Sequence, residues 1–273
     1  MELKRITLNE LKEIIKEELG IYKSIFDKTI EVYNAIVQDL PNREKKHNEN
    51  GEFIVQKGSI RTELDGHSFS VYYTYRNFKN RDVVDVYGEA NLTMGSSSYI
   101  GRYRAICNID LYGVSGTIRK EKAVETIQHE LEHIFQEFRA DASIPNGDFY
   151  AKMRNDLESN DENRRKIGRL IYGCLKSEQE GYINGLYSYC MVDDFITPPY
   201  NYSNIVDSDA GKLYVEISDI LKELRNDINL QNILKEYGWS IKKVETHIIN
   251  FIHRIGRVLI KVNNDKIKLG WRE

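Results

Sequence analysis

Residues 104–140 read RAICNIDLYGVSGTIRKEKAVETIQHELEHIFQEFRA, and the change of texture inside this stretch sets the class of fold. Arg104 to Tyr112, with apolar and β-branched residues in a short run, reads as a strand. Gly113 and Gly116 punctuate it, and beyond them the apolar residues recur with helical spacing. Upstream, Ser68 to Tyr75 reads as a second strand, preceded by a hairpin turn at Leu64-Asp65-Gly66-His67. The β-rich texture runs from Phe53 to Tyr87, and Leu92 to Tyr103, with Gly95-Ser96-Ser97-Ser98, reads as a surface loop. Further out, Leu8, Leu11, Ile14, Ile15, Ile25, Ile30 and Val37 have helical periodicity up to Leu40, ended by Pro41 and a polar run. Downstream the chain predicts helices near 119–140, 148–158, 163–191, 208–226 and 240–262, with a break at Pro198-Pro199. The expected fold is α+β: a small antiparallel or mixed sheet with a long N-terminal helix, followed by a mostly helical C-terminal lobe. A single domain over 1–273 is expected, the sheet part in 1–118 and the helical part in 119–273.

The 273 residues carry a formal net charge of −3, which provides no general attraction to nucleic acid or an anionic membrane. Lysines near the C-terminus alternate with Ile, Val and Leu, the pattern of a solvated helix face rather than a nucleic-acid patch. No stretch has the length and apolarity of a membrane span, and residues 1–15 carry polar and charged residues throughout with no continuous apolar segment, unlike a secretory signal. Cys107, Cys174 and Cys190 are odd in number and widely spaced, which speaks against a disulfide framework. A cytoplasmic location is the expectation. Phosphate-binding glycine loops and dinucleotide fingerprints are absent from the sequence, and Cys107 and Cys190 have no nearby histidine to activate a thiolate.

The chemistry concentrates at His129-Glu130-Leu131-Glu132-His133. Residues four apart share a helix face, so both imidazoles can grip one ion. Imidazole suits zinc, and a catalytic zinc site has three protein ligands with one position open to water. With His129 at 0° on a helical wheel, His133 falls near 40°, while Ala123, Val124, Ile127, Leu131, Ile134, Phe135 and Phe138 occupy roughly 120° to 240°. The apolar stripe therefore enters a core while the histidines face elsewhere. Glu130 and Glu132 flank the histidine pair at about 80° on either side, so helical phase does not choose between them. The chemistry of the motif favours Glu130 as general base.

A third ligand is sought in Ser177-Glu178-Gln179-Glu180-Gly181-Tyr182-Ile183-Asn184. Glu180 is favoured, because Ile171, Leu175, Tyr182, Leu186 and Tyr189 lie roughly opposite it and would take the core side. Asn184, one turn on, could support a ligating histidine. Glu178 is the rival: it falls among apolar positions, where an unpaired carboxylate is costly and a metal is one remedy. Tyr187, His247 and His253 are more readily explained by packing or exposure than by a place in the site, and His47 and His67 sit in polar, turn-like contexts.

His129 to His133, with Glu180 and Asn184 in a Glu-x-x-x-Asn arrangement, resembles the zincin metallopeptidases of the gluzincin branch, whose members often carry Glu-x-x-x-Asp. The likeness covers about a third of the chain. It implies a zinc-dependent peptidase with His129, His133 and Glu180 as metal ligands, Glu130 as general base and polypeptide as substrate. It also implies that a strand before the motif helix, here Ile106 to Leu111, forms the cleft edge and pairs with extended substrate. The imperfect downstream pattern motivates a second expectation, a binding or structural protein that keeps the scaffold with weak or no catalysis.

Overall fold

The computed structural model describes residues 25–47, 53–64, 67–78, 94–99, 105–114, 116–138, 147–193 and 199–270. The expected helix through Leu8–Ile15 lies outside them. The fold is α+β, a mixed sheet followed by a helical lobe. Helix α1 spans 25–39 and gives way at Pro41 to a short 3-10 turn, Leu40–Asn42. The strands are β1 (Lys46–His47), β2 (Phe53–Leu64), β3 (His67–Phe78), β4 (Met94–Tyr99), β5 (Ala105–Val114) and β6 (Thr117–Ile118). Among the described residues seven helices follow: α2 (Lys120–Phe138), α3 (Gly147–Leu157), α4 (Glu162–Cys174), α5 (Lys176–Val192), α6 (Asp209–Leu224), α7 (Ile228–Glu236) and α8 (Ile241–Lys268).

The sheet order is β1-β2-β3-β5-β4, with β6 also on β5. β2 and β3 pair antiparallel from Phe53↔Phe78 to Leu64↔His67; the centre of the expected turn, Asp65-Gly66, lies outside the described residues. β3 and β5 are parallel, Val71 opposite Cys107 and Tyr73 opposite Ile109. Two expectations are corrected here. Residues 94–99 are a strand, not a loop, paired antiparallel along β5 from Met94↔Asp110 to Tyr99↔Ala105. β5 is therefore an interior strand, and β4 is the edge on that side of the sheet among the described residues. A Gly-Ser run has little intrinsic strand preference, and backbone pairing with β5 supplies what local sequence does not.

One sheet face is buried by the period-two alternation of its strands. Phe69, Val71, Tyr73 and Tyr75 of β3 and Cys107, Ile109 and Leu111 of β5 are buried, while Tyr72 on the other face is 47% exposed. That inner face packs on Ile25, Val32 and Ile36 of α1 and on Ala123, Ile127, Leu131, Ile134 and Phe135 of α2. The apolar stripe expected on the motif helix thus meets the sheet. A second core fills the space among α3 to α8, with Leu170, Leu186, Leu213, Leu224, Phe251 and Ile255 fully or nearly fully buried. Helix α2 separates the two cores, and its polar side lies along α5. The helix expected over 163–191 is two helices, because Leu175 adopts φ −66°, ψ 136° and caps both α4 and α5. Helix α7 lies in a stretch where none is expected from periodicity. All three cysteines are buried and free, and no helix among the described residues is long and apolar enough to cross a membrane.

Candidate metal centre

Helix α2 presents His129 and His133 on adjacent turns toward α5, with ring centroids 4.7 Å apart and planes at 84°. Their Nε2 atoms are 3.0 Å apart. Across the helix interface, Glu178 Oε2 stands 3.4 Å from His133 Nε2 and 3.6 Å from His129 Nε2. Three ligands bound tetrahedrally at about 2.0–2.1 Å to one ion sit about 3.3–3.4 Å apart, so the triangle has the size of a metal half-shell. Glu178 Oε2 is buried and has no hydrogen-bond partner, an orphaned acceptor facing two imidazoles. At this distance the two Nε2 atoms either share a proton in a hydrogen bond or both turn lone pairs to a cation between them. These three residues form a possible metal-binding triad.

Electrostatics agree with that reading. Burial works against the ionised Glu178 carboxyl, but the two histidines hold it well below the usual carboxylate range. Burial would likewise depress His133, yet Glu178, with Glu130 and Gln136, raises it to about 9 in the absence of a metal. In the absence of a metal a protonated His133 balances the Glu178 charge, a role that a cation bound among the three groups would take over.

The helix interface is close because α5 offers glycine where α2 offers histidine. A Cβ on Gly181 would lie 2.8 Å from Cε1 and Nδ1 of His129, and one on Gly185 would lie 2.9 Å from the Glu125 carbonyl oxygen. The ring of Tyr182 closes the other side of His129 at 4.5 Å, edge-on. Tyr172 of α4 places its hydroxyl beside Glu178. Burial, then Tyr182, then Glu178 and Glu130, push that phenol's pKa far up, and burial is the main cause of a similar rise at Tyr182. Glu130 is 5% exposed, and its charge is felt by His133, Tyr172 and Cys107. It sits at the edge of the triad without belonging to it.

His129 and His133 are where the sequence puts them. The third position is held by Glu178, and Glu180 points elsewhere: it accepts from Gln136 Nε2 at 3.2 Å and pairs with Arg254 at 3.6 Å and Lys176 at 3.7 Å. Glu178 and Glu180 lie roughly 200° apart on the helix, so one excludes the other. Asn184 is buried, but among the described residues no hydrogen bond joins it to either histidine. His133 Nδ1 is instead 3.3 Å from Gln136 Oε1, a residue that the sequence reading passed over. Tyr187 donates to Asp265 at 2.9 Å and His247 stacks on Trp239 at 5.0 Å, both engaged outside the triad. Comparison with protein-family models, with curated proteins and with solved structures finds no match.

Proposed function

We propose that the chain is a zinc-dependent metallopeptidase in which His129, His133 and Glu178 hold the ion and Glu130 is the general base. The observation that carries this reading is the triangle of two Nε2 atoms and one orphaned carboxylate oxygen with edges of 3.0, 3.4 and 3.6 Å. It corresponds to a zincin-like arrangement with the carboxylate two residues earlier than the sequence pattern favours. Zinc bound there supplies a Lewis acid and a water with a pKa near 7. Glu130 follows His129 directly, is buried, and lies within electrostatic reach of His133, which suits a carboxylate that takes a proton from water and delivers it to a leaving amine. Tyr172 and Tyr182 keep their protons at neutral pH and line the triad as donors and as a water-excluding wall. An extended polypeptide can pair with the outer edge of β4, which takes over the cleft-edge role expected of Ile106 to Leu111.

The test combines metal analysis with cleavage. Protein purified with zinc is offered a peptide library, with and without chelator. Glu130→Gln is expected to keep zinc and lose turnover by at least about 100-fold, Glu178→Ala to lose zinc, and Glu180→Gln to keep it. Cleavage by Glu130→Gln at the wild-type rate refutes the assignment of the base. Zinc retained by Glu178→Ala refutes the triad.

A further inference from the structure

Three contacts converge on the Gln136 side chain. Its Nε2 is 3.2 Å from the Ser177 carbonyl oxygen and 3.2 Å from Glu180 Oε2, and its Oε1 is 3.3 Å from His133 Nδ1. Gln136 is 4% exposed, so these partners, not water, set its orientation. A carbonyl and a carboxylate accept and cannot donate, so both must take the amide N–H groups. The amide oxygen is thereby turned to His133, which can meet it only by donating from Nδ1. With the proton on Nδ1, the lone pair of His133 is on Nε2, the atom that faces His129 and Glu178. Glu180 is held in turn by Arg254, 3.6 Å away on α8, and by Lys176, 3.7 Å away one turn upstream on α5.

We propose that Gln136 and Glu180 are positioning residues that fix the Nδ1–H tautomer and the ring orientation of His133 for metal binding. The proposal rests on the metal reading of the triad. The carboxylate that the sequence marks as a ligand acts from outside it, through an amide from α2, and α8 is tied through Arg254 to the ion's coordination. Partners of this kind orient imidazole and raise its basicity, and their loss typically lowers metal affinity about 10- to 100-fold.

The experiment measures zinc affinity of metal-free full-length protein by competition with a chromophoric chelator, and follows folding of the same samples by circular dichroism and thermal melting. Gln136→Met keeps the length of the side chain and removes both its donor and its acceptor; it is expected to bind zinc about 10- to 100-fold more weakly. Glu180→Ala, at a position on the rim of the cluster, carries the test should Gln136→Met not fold, with a smaller loss of roughly three- to tenfold. The double variant Gln136→Glu with Glu180→Gln exchanges amide and carboxylate. It preserves an acceptor toward Nδ1 and a donor between the two side chains but leaves the Ser177 carbonyl without its N–H, so affinity should recover part of the loss seen in Gln136→Met, which a packing role would not produce. Wild-type affinity in both Gln136→Met and Glu180→Ala overturns the proposal, as does a double variant that binds no better than Gln136→Met. Wild-type protein that takes up no zinc overturns the metal reading itself and this inference with it.

Discussion

A Cβ on Gly181 would come within 2.8 Å of the His129 ring, closer than side chains approach. The neighbour it meets is a histidine of the triad hemmed in by Tyr182 at 4.5 Å, so the ring must move off the triad. Gly181→Ala is therefore expected to weaken zinc binding by roughly tenfold or more while costing about 1–3 kcal/mol of stability, as overpacking does. Zinc titration beside urea melts checks it, and unchanged affinity would show that the ring has room to yield. The same residue explains what was legible in the centre. His129 and His133 are fixed by local spacing alone. The choice between Glu178 and Glu180 depends on which side of α5 meets α2, and amphipathicity does not reveal that, because nearly every residue from Ser177 to Val192 is buried. The usable signal is the glycines. Gly181 and Gly185, four apart, mark the side of closest helix approach, and Glu178, three residues before Gly181, is on that side.

At the scale of elements, long periodic stretches such as α2 and α8 are legible, and short ones are not. Helix α7 spans nine residues, too few for a periodic pattern to stand out, yet its start is written plainly. Asp227 accepts from the amides of Asn229 at 2.7 Å and Leu230 at 3.2 Å, satisfying two of the unpaired donors of the first turn. Asp227→Ala should cost about 1 kcal/mol, read as a shift of the denaturation midpoint at constant slope. No shift would mean that Leu230 and Leu234, buried in the second core, hold the helix without its cap. The break at Leu175 and the strand at 94–99 have a shared cause: both are decided by partners distant in sequence. Gln179, just past the break, donates to the His247 carbonyl of α8 at 3.4 Å, and β4 exists through its register with β5. Sequence patterns report a residue's own conformational preference and say little about such partners.

Across the whole molecule, α2 carries the sheet on one side and the helical lobe on the other, and its first turns are bolted to α6 by a buried charge cluster. Lys122, 1% exposed, is 2.9 Å from Glu125 Oε2 and 2.8 Å from Asp209 Oδ1. Glu125 Oε1 accepts from the Asp209 backbone amide at 2.7 Å, at the N-terminus of α6. Two carboxylates share one cation's worth of compensation. Burial, with the Asp209 carboxylate adding to it, pushes the Glu125 carboxyl up to about 7 despite Lys122. Lys122 stays protonated: burial disfavours its charge, but Glu125 and Asp209 raise its pKa above the ordinary lysine value. A carboxyl whose folded pKa lies above its unfolded value near 4.3 binds more protons folded than unfolded between the two, so its contribution to stability falls as pH rises through that window. The contribution is present at pH 4 and gone by about pH 8. Other groups titrate over the same range, so the comparison that isolates this one is wild type against Glu125→Gln. The glutamine keeps the shape and cannot ionise. Urea melts at pH 5 and pH 8 are expected to show a smaller loss of stability for Glu125→Gln than for wild type across that interval. Equal losses would mean that Glu125 is ionised throughout, with Lys122 and the Asp209 amide sufficient to carry its charge in the interior.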